Sequence, residues 1–394
     1  MSTYSGYRYY IVIAGKRNSG KSSLVNAVVN QNVSIVSDYA GTTTDPVYKT
    51  MELYPLGPVT IVDTPGIDDI GDIGELRTEK AKKAFYKADI GILTVDTVPG
   101  EYENEIISIF KKMRIPYIIA VNKYDENKKL NLEEHYRKLG QNVINVSAKE
   151  RINIDNLKDM IYNVCPKEDE KNLIPDFIEK GDTVLLVIPV DKSAPKGKII
   201  MPQIVAIREI LDRNANAVIC QDTEITETLD KLKEKPKIVI TDSQAIMKIE
   251  NKIPADIMLT TFSILEAKSK GDLKELTDGV KVIDNLKDGD KILVMEGCNH
   301  RPLTEDIGRV KIPKWLINKT GKDLRFSFIA GKEFPDEEDL KDIKLVIHCG
   351  GCTLTRNMML RRIHSVTRNG IPIVNYGVII SYLHGVLDRV ISMF

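Results

Sequence analysis

The sequence is short of several things, and each shortage narrows the choices. It has no surplus of either charge: Lys and Arg together number 56, as do Asp and Glu, over 394 residues. A global basic field of the kind that gathers nucleic acid is therefore excluded, although a local basic patch is not. No uninterrupted apolar stretch is long enough to cross a bilayer, because the best candidate, GVIISYLHGVLDRVISMF, carries His384, Asp388 and Arg389. The opening MSTYSGYRYYIVIAG lacks the charged leader, apolar stretch and small-residue cleavage site of a secretory signal, so a cytoplasmic protein with no membrane partner is expected. Cysteine is scarce too, at five residues. In a reducing compartment that argues against a disulfide framework and for metal or catalysis wherever thiols cluster. Cys165 and Cys220 stand alone and read as small buried apolar residues.

What is present is ordinary for a folded globular chain: 42% apolar and 28% charged residues, in a length that suits two or three domains. Runs rich in Val and Ile recur, each followed by a helical period, which is the signature of βαβ units and parallel sheets. We expect three consecutive α/β domains, spanning 1–168, 169–266 and 267–394. The charged, proline-bracketed CPKEDEKNLIPD at 165–176 reads as a linker. The last boundary is the softest, since SILEAKSKGDLKEL can be one helix serving both neighbours.

The first domain carries a phosphate-binding pattern. GKRNSGKS, Gly15 to Ser22, follows the strand-like YYIVIA and precedes the helical SLVNAVVN. Loop amides converging on a helix N-terminus suit phosphate oxygens, because unpaired N–H groups and the helix dipole both favour anions. Gly15 and Gly20 permit the turn, Lys21 supplies a charge to the β- and γ-phosphates, and Ser22 a hydroxyl to Mg2+, with Ser19 and Ser23 in the same nucleotide-facing run. DTPG follows VTIV and offers the Asp63 carboxylate to the Mg2+ shell and the Gly66 amide to the γ-phosphate. NKYD, with Asn122, Lys123 and Asp125, follows YIIAV; Asp125 can accept both hydrogens on the N1/N2 edge of guanine, which adenine cannot offer. SAK, Ser147 to Lys149, would bring the Ala148 amide to guanine O6.

Together, each after a strand, these motifs resemble the translation-factor-like GTPase superfamily over roughly the first 165 residues, which implies a P-loop GTPase fold with a mainly parallel sheet. AGTTTD at 40–45 resembles the first switch of the Era/TrmE group, and alignment on Gly41 makes Thr43 the second Mg2+ ligand. Asn18 matches the asparagine that helps hold K+ in the potassium-activated members, so the resemblance implies K+-assisted GTP hydrolysis. A loop-stabilising amide is the other reading of Asn18. Ile67 stands where many GTPases carry a water-orienting glutamine, which predicts slow turnover. Glu75 lies at the offset from Asp63 where TrmE-like proteins place a catalytic glutamate, or is a solvated carboxylate at a helix start.

The last domain holds the thiols. EGCNH ends the strand-like KILVM and HCGGC ends KLVI, so two strand tips can bring Cys298 beside Cys349 and Cys352. Gly297, Gly350 and Gly351 remove bulk around a large inorganic ligand. The helical TLTRNMMLRRIHS that follows would aim its first amides at the thiolates. His300 or His348 would complete a Cys3His set for zinc, while three thiolates alone suit a cuboidal iron–sulfur cluster with one exchangeable position. A redox pair at Cys349 and Cys352 leaves Cys298 unexplained, and Glu296, Glu305 and Asp306 are rival oxygen donors. His135, His364 and His384 look like surface or helix residues.

Spacing does not choose among these, but resemblance does. Cys298-Asn299-His300, a gap of 47 residues, then His348-Cys349-Gly350-Gly351-Cys352 is similar to the C-x-H…H-C-x-x-C pattern of the HydF family, the maturation GTPases of [FeFe]-hydrogenase. The resemblance covers essentially the whole chain. It implies a [4Fe–4S] cluster on the three cysteines and a scaffold that receives a di-iron precursor and passes it to the hydrogenase apoprotein. It also implies the radical-SAM maturases HydE and HydG as upstream partners, and a homodimer formed through the middle domain. The competing class is an Era/TrmE-like RNA-associated GTPase with a structural zinc in its last domain, against which the neutral charge counts.

Overall fold

The computed structural model describes residues 8–29, 46–65, 81, 83–127, 131–140, 142–166, 171–190, 199–298, 306–331, 335 and 339–394. Thr43, Gly66, Ile67, Glu75, His300 and Glu305 lie outside the described residues. The chain divides into two compact units, Met1–Glu168 and Asp169–Phe394.

The first unit is built on one sheet of β1 (Tyr9–Ala14), β2 (Val47–Leu53), β3 (Gly57–Asp63), β4 (Ile90–Val95), β5 (Tyr117–Val121) and β6 (Val143–Asn145), in the order β2-β3-β1-β4-β5-β6. All neighbours run parallel except β2 against β3. β4 is buried from end to end, as a strand covered on both faces must be, whereas edge strand β2 buries only Leu53. Ile11, Ile13, Ile61 and Ile92 form the core with Leu24 and Val28 of helix α1 (Lys21–Val29) and Leu157 and Ile161 of α2 (Ile154–Val164).

The second unit contains two wholly parallel sheets. One joins β7 (Thr183–Val187), β8 (Asn216–Cys220), β9 (Ile238–Thr241) and β10 (Met258–Thr261) in the order β10-β9-β7-β8. The other joins β11 (Lys291–Met295), β12 (Arg325–Ile329), β13 (Ile343–His348) and β14 (Ile373–Asn375) in the order β12-β11-β13-β14. In the latter the connections diverge on either side of β11 and β13, which makes their carboxyl ends a topological switch point, the usual place for a ligand in an open α/β sheet.

Two expectations change here. The run at 165–176 is not a free linker throughout: Leu173 and Ile174 are buried with Leu186 and Ala206 in the core of the second unit. Glu209, on α3 (Met201–Asp212), accepts from the amides of Leu173 and Ile174, and the Arg213 guanidinium donates to the Ile174 and Pro175 carbonyls. Nor is SILEAKSKGDLKEL one helix; it forms α4 (Phe262–Lys270) and α5 (Leu273–Asp278). Gly271 ends the first, since a Cβ there would lie 2.8 Å from Ala267 O, and the Asp272 carboxylate caps the second by accepting from the Glu275 amide at 3.1 Å. Helix α4 then serves both sheets: it leaves β10, its Ser263 carbonyl accepts from Asn375, and its Ser269 carbonyl accepts from Arg356.

Candidate functional site

At the tip of β1 the chain turns into α1 through the phosphate loop. Gly15 is obligatory there because a Cβ would lie 2.4 Å from Thr94 O, and Gly20, at φ +89°, because one would lie 2.2 Å from Asn122 Nδ2. Lys21 is 8% exposed and its Nζ donates to Lys16 O at 2.7 Å, so the ammonium turns back over the loop. Ser22 Oγ donates to Asp63 Oδ2 at 2.6 Å, which brings together two side chains assigned to Mg2+ from opposite elements. Burial raises the Asp63 pKa against the lowering effects of Ser22 and Lys21, and Oδ1 is buried with no protein partner among the described residues. An orphaned carboxylate oxygen at this place fits a divalent cation. Asn18 is exposed and left-handed, at φ 60°, a conformation asparagine tolerates, so backbone geometry by itself accounts for an asparagine there.

Asn122 does more than the sequence reading gave it. It is 2% exposed; its Nδ2 donates to Ser19 O at 2.9 Å and its Oδ1 accepts from the Ala148 amide at 3.0 Å. One side chain thereby ties the phosphate loop, the NKYD turn and the SAK turn. The Ala148 amide, expected to meet guanine O6, donates to Asn122 in this structure. Ser147 is fully buried and accepts from the Glu150 amide, Lys123 pairs with Asp96, Asp125 is half-buried in the first turn after β5, and Ser23 and Lys149 are exposed.

In the second unit β11 and β13 pair directly, with Met295 opposite His348, so Cys349 and Cys298 follow neighbouring strand tips at the switch point. The three thiols influence one another. Burial first, with Cys298 adding, pushes Cys349 up to about 11; burial, then Glu266, Cys349 and Cys298, push Cys352 up to about 12. Burial, Glu296 and Asp306 raise Cys298 as well. Such thiols stay protonated at neutral pH until a cation displaces the protons. The Gly297 amide donates to Cys349 Sγ at 3.0 Å, and the Gly351 amide also favours its thiolate. Among the described residues no three His, Cys, Asp or Glu side chains converge as the ligands of a single ion do. The donor chemistry and the amides on sulfur therefore fit an iron–sulfur cluster.

Two expectations about this site are corrected. His348 is fully buried with both ring nitrogens engaged: Nδ1 lies 2.6 Å from Cys349 O, and Nε2 lies 3.0 Å from Arg362 Nη1. Burial and the adjacent guanidinium hold its pKa down at about 3, so it is a neutral support of the strand tip with no nitrogen to offer a metal. The helix after the cysteines, α6 (Arg356–Thr367), begins four residues past Cys352 and is capped by Thr355, which accepts from the Met358 amide. The amides that reach sulfur come from the glycines instead.

Sequence reasoning also missed what lies under the turn. Glu266 of α4 is 4% exposed, pairs with Lys270 at 3.6 Å, and would lie 2.5 Å from a Cβ at Gly350. Burial raises its pKa to about 6. Lys270 Nζ donates to Cys352 O at 3.4 Å. Arg362, 1% exposed, donates to Gly331 O as well as facing His348. An Arg at helical spacing from Met358, Met359 and Val366 was the available signal.

A phosphate loop with Ser22 and Asp63 in hydrogen-bond contact, in one chain with two wholly parallel α/β sheets, the last followed at its strand tips by Cys298 and Cys349, defines a P-loop GTPase with two further α/β domains. Residues 10–123 match the 50S ribosome-binding GTPase family, 173–271 the hydrogen maturase F dimerization domain and 274–393 the hydrogen maturase F tetramerization domain. The chain belongs to the hydrogen maturase F (HydF) family. It is 35% identical over 164 residues to the tRNA modification GTPase MnmE of Clostridioides difficile (strain 630), a match covering 41% of this chain and 35% of that protein. It is 33% identical over 169 residues to the GTPase Era of Heliobacterium modesticaldum, covering 40% of this chain and 55% of that one. The chain thus spans about a third to a half of the length of these relatives. The crystal structure of Era with MgGDPNP and a 16S ribosomal RNA segment aligns at 23% identity and a TM-score of 0.36, covering 54% of this chain and 91% of that one. Among the described residues no helix is long and apolar enough to cross a membrane.

Proposed function

We propose that the chain is a GTP-hydrolysing scaffold and carrier in hydrogenase maturation: it holds a [4Fe–4S] cluster on Cys298, Cys349 and Cys352, receives the di-iron precursor, and delivers it to the hydrogenase apoprotein. The observation that supports this reading is the placement of Cys298 and Cys349 just past the paired tips of β11 and β13, with Cys352 three residues on and the thiols close enough to raise one another's pKa, in a chain of this family. When bound, the cluster supplies an iron with an exchangeable position for a donor atom of the precursor. The protein's part is to keep the other positions fixed. The Gly297 and Gly351 amides stabilise the Cys349 thiolate, Lys270 anchors the Cys352 carbonyl, and the His348–Arg362 pair locks the β13 tip.

In the first unit Lys21 stabilises charge on the transferred phosphoryl group, Ser22, Asp63 and Thr43 hold Mg2+, Gly66 contacts the γ-phosphate, and Asp125 selects guanine. Asn18 holds K+ beside the phosphates, and Glu75 assists the attacking water. Nucleotide state biases partner docking by binding one arrangement better than another. Assembly as a homodimer uses the middle sheet, whose edge strand β8 exposes Ile219 and whose helix α3 exposes Ile204 and Leu211. HydE and HydG load the scaffold in a cytoplasmic setting.

The test is hydrogen evolution by apo-hydrogenase after incubation with cluster-reconstituted protein that has been exposed to the two radical-SAM maturases. Wild-type protein is expected to confer activity and Cys349→Ser protein none; equal activation by both would refute the carrier reading.

A further inference from the structure

The hydroxyl of Tyr376 is buried and has no hydrogen-bond partner among the described residues. Such a group costs about 1–3 kcal/mol, and one that persists calls for a partner the bare protein lacks. Its place is set by strand register. Met295, His348 and Asn375 are in line across β11, β13 and β14, so Glu296, Cys349 and Tyr376 are the next residues on three adjacent tips. In parallel strands, residues in register share a face of the sheet. Tyr376 opens helix α7 (Tyr376–Leu383), and its hydroxyl is raised in pKa first by burial, then by Cys349, Glu296 and Asp306. Opposite it, the π-helical turn Ile307–Lys311 carries Gly308, where a Cβ would lie 1.8 Å from the Tyr376 hydroxyl oxygen and 3.2 Å from Glu296 Oε1. Only glycine leaves that hydroxyl its room. The carboxylate across from it binds through its other oxygen: Glu296 Oε2 accepts from Arg309 at 3.2 Å.

We propose that Tyr376 donates a hydrogen bond to a small anionic ligand, of the hydroxide or cyanide class, bound at the exchangeable position beside Cys349, and that Gly308 keeps the space for it. This rests on the cluster reading above. Tyr376 is a positioning residue for that ligand: it supplies a proton donor, exchanges no electrons, and selects anions with an outward lone pair.

The probe is cyanide titrated into the anaerobically reconstituted full-length protein, followed by electron paramagnetic resonance of the reduced cluster, with iron and sulfide measured in the same samples. Tyr376→Phe should keep wild-type iron and sulfide, melt no lower than wild type when metal-free, and bind cyanide about 10- to 100-fold more weakly, the size of one hydrogen bond to a charged group. Gly308→Ala, whose methyl group displaces the hydroxyl, should weaken cyanide similarly. Equal cyanide affinity in wild type and Tyr376→Phe overturns the inference and leaves the cluster reading standing. Wild-type protein that takes up no cluster overturns both.

Discussion

Asn122 offers the sharpest quantitative test of how the nucleotide site is held. Its amide makes one bond to Ser19 O at 2.9 Å and one from the Ala148 amide at 3.0 Å, both largely shielded from water. Asn122→Ala deletes both. Each is worth about 1 kcal/mol net, with a further penalty for any buried partner left bare, so the loss is roughly 2–4 kcal/mol. In the metal- and nucleotide-free protein that cost appears as a lower melting temperature. In binding it appears as weaker affinity, because nucleotide must then order the phosphate loop and the SAK turn unaided; 2 kcal/mol corresponds to about 30-fold. Asn122→Asp keeps the acceptor for Ala148 but not the donor for Ser19, and is expected to lose about half of that free energy. Gly20→Ala should resemble Asn122→Ala, since its methyl group would sit 2.2 Å from Nδ2. Titration with a fluorescent guanine nucleotide in Mg2+ reads the affinities. If Asn122→Ala binds within twofold of wild type, or loses affinity with no change in the melting of the free protein, the three-loop tie is not what holds this site.

Other residues give simpler outcomes. Arg362→Met strands His348 Nε2 and Gly331 O, at a cost of about 1–3 kcal/mol for each bare acceptor, so the second unit should melt several degrees lower by calorimetry. Cys165→Ser and Cys220→Ser replace buried thiols that belong to neither β11 nor β13 and should leave the iron content of reconstituted protein unchanged. His384 packs edge-on against Trp315 with centroids 5.0 Å apart, and burial lowers its pKa below 6.5. Its folded-state pKa lies below the unfolded value, so the stability it lends is present above pH 6.5 and lost as pH falls through the depressed value. His384→Phe keeps the ring pair, and its melting temperature should therefore fall less than that of wild type between pH 7 and about pH 5.

Much of this architecture can be read from local pattern. The βαβ rhythm, Gly15 and Gly20 in the first turn, and strand runs ending in DTPG, NKYD and HCGGC place the chemistry at strand tips, where parallel sheets present it. What sequence could not supply is set by distance in space. Asn122 meets Ser19 across 103 positions, and Arg362 reaches His348 from the next helix. His348 therefore looked like a ligand until its buried guanidinium partner appeared. One helix through Gly271 stayed an open reading because a helical period runs on either side of it; Gly-Asp as a stop followed by a cap was the overlooked signal. Strand β10, MLTT, is short and carries two threonines, too little to stand out before α4. Tyr376 follows IPIVN as Cys349 follows KLVIH, and attention to residues one past a strand would have found it.

The central claim is that three cysteines hold a cuboidal cluster in this chain. Iron, acid-labile sulfide and zinc should be quantified after anaerobic reconstitution of the wild type and of Cys298→Ser, Cys349→Ser and Cys352→Ser. The account predicts roughly four irons and four sulfides per wild-type chain, a brown chromophore, and loss of both from every serine variant. A single tightly bound zinc without sulfide, or full iron retention after removal of Cys298, would contradict it.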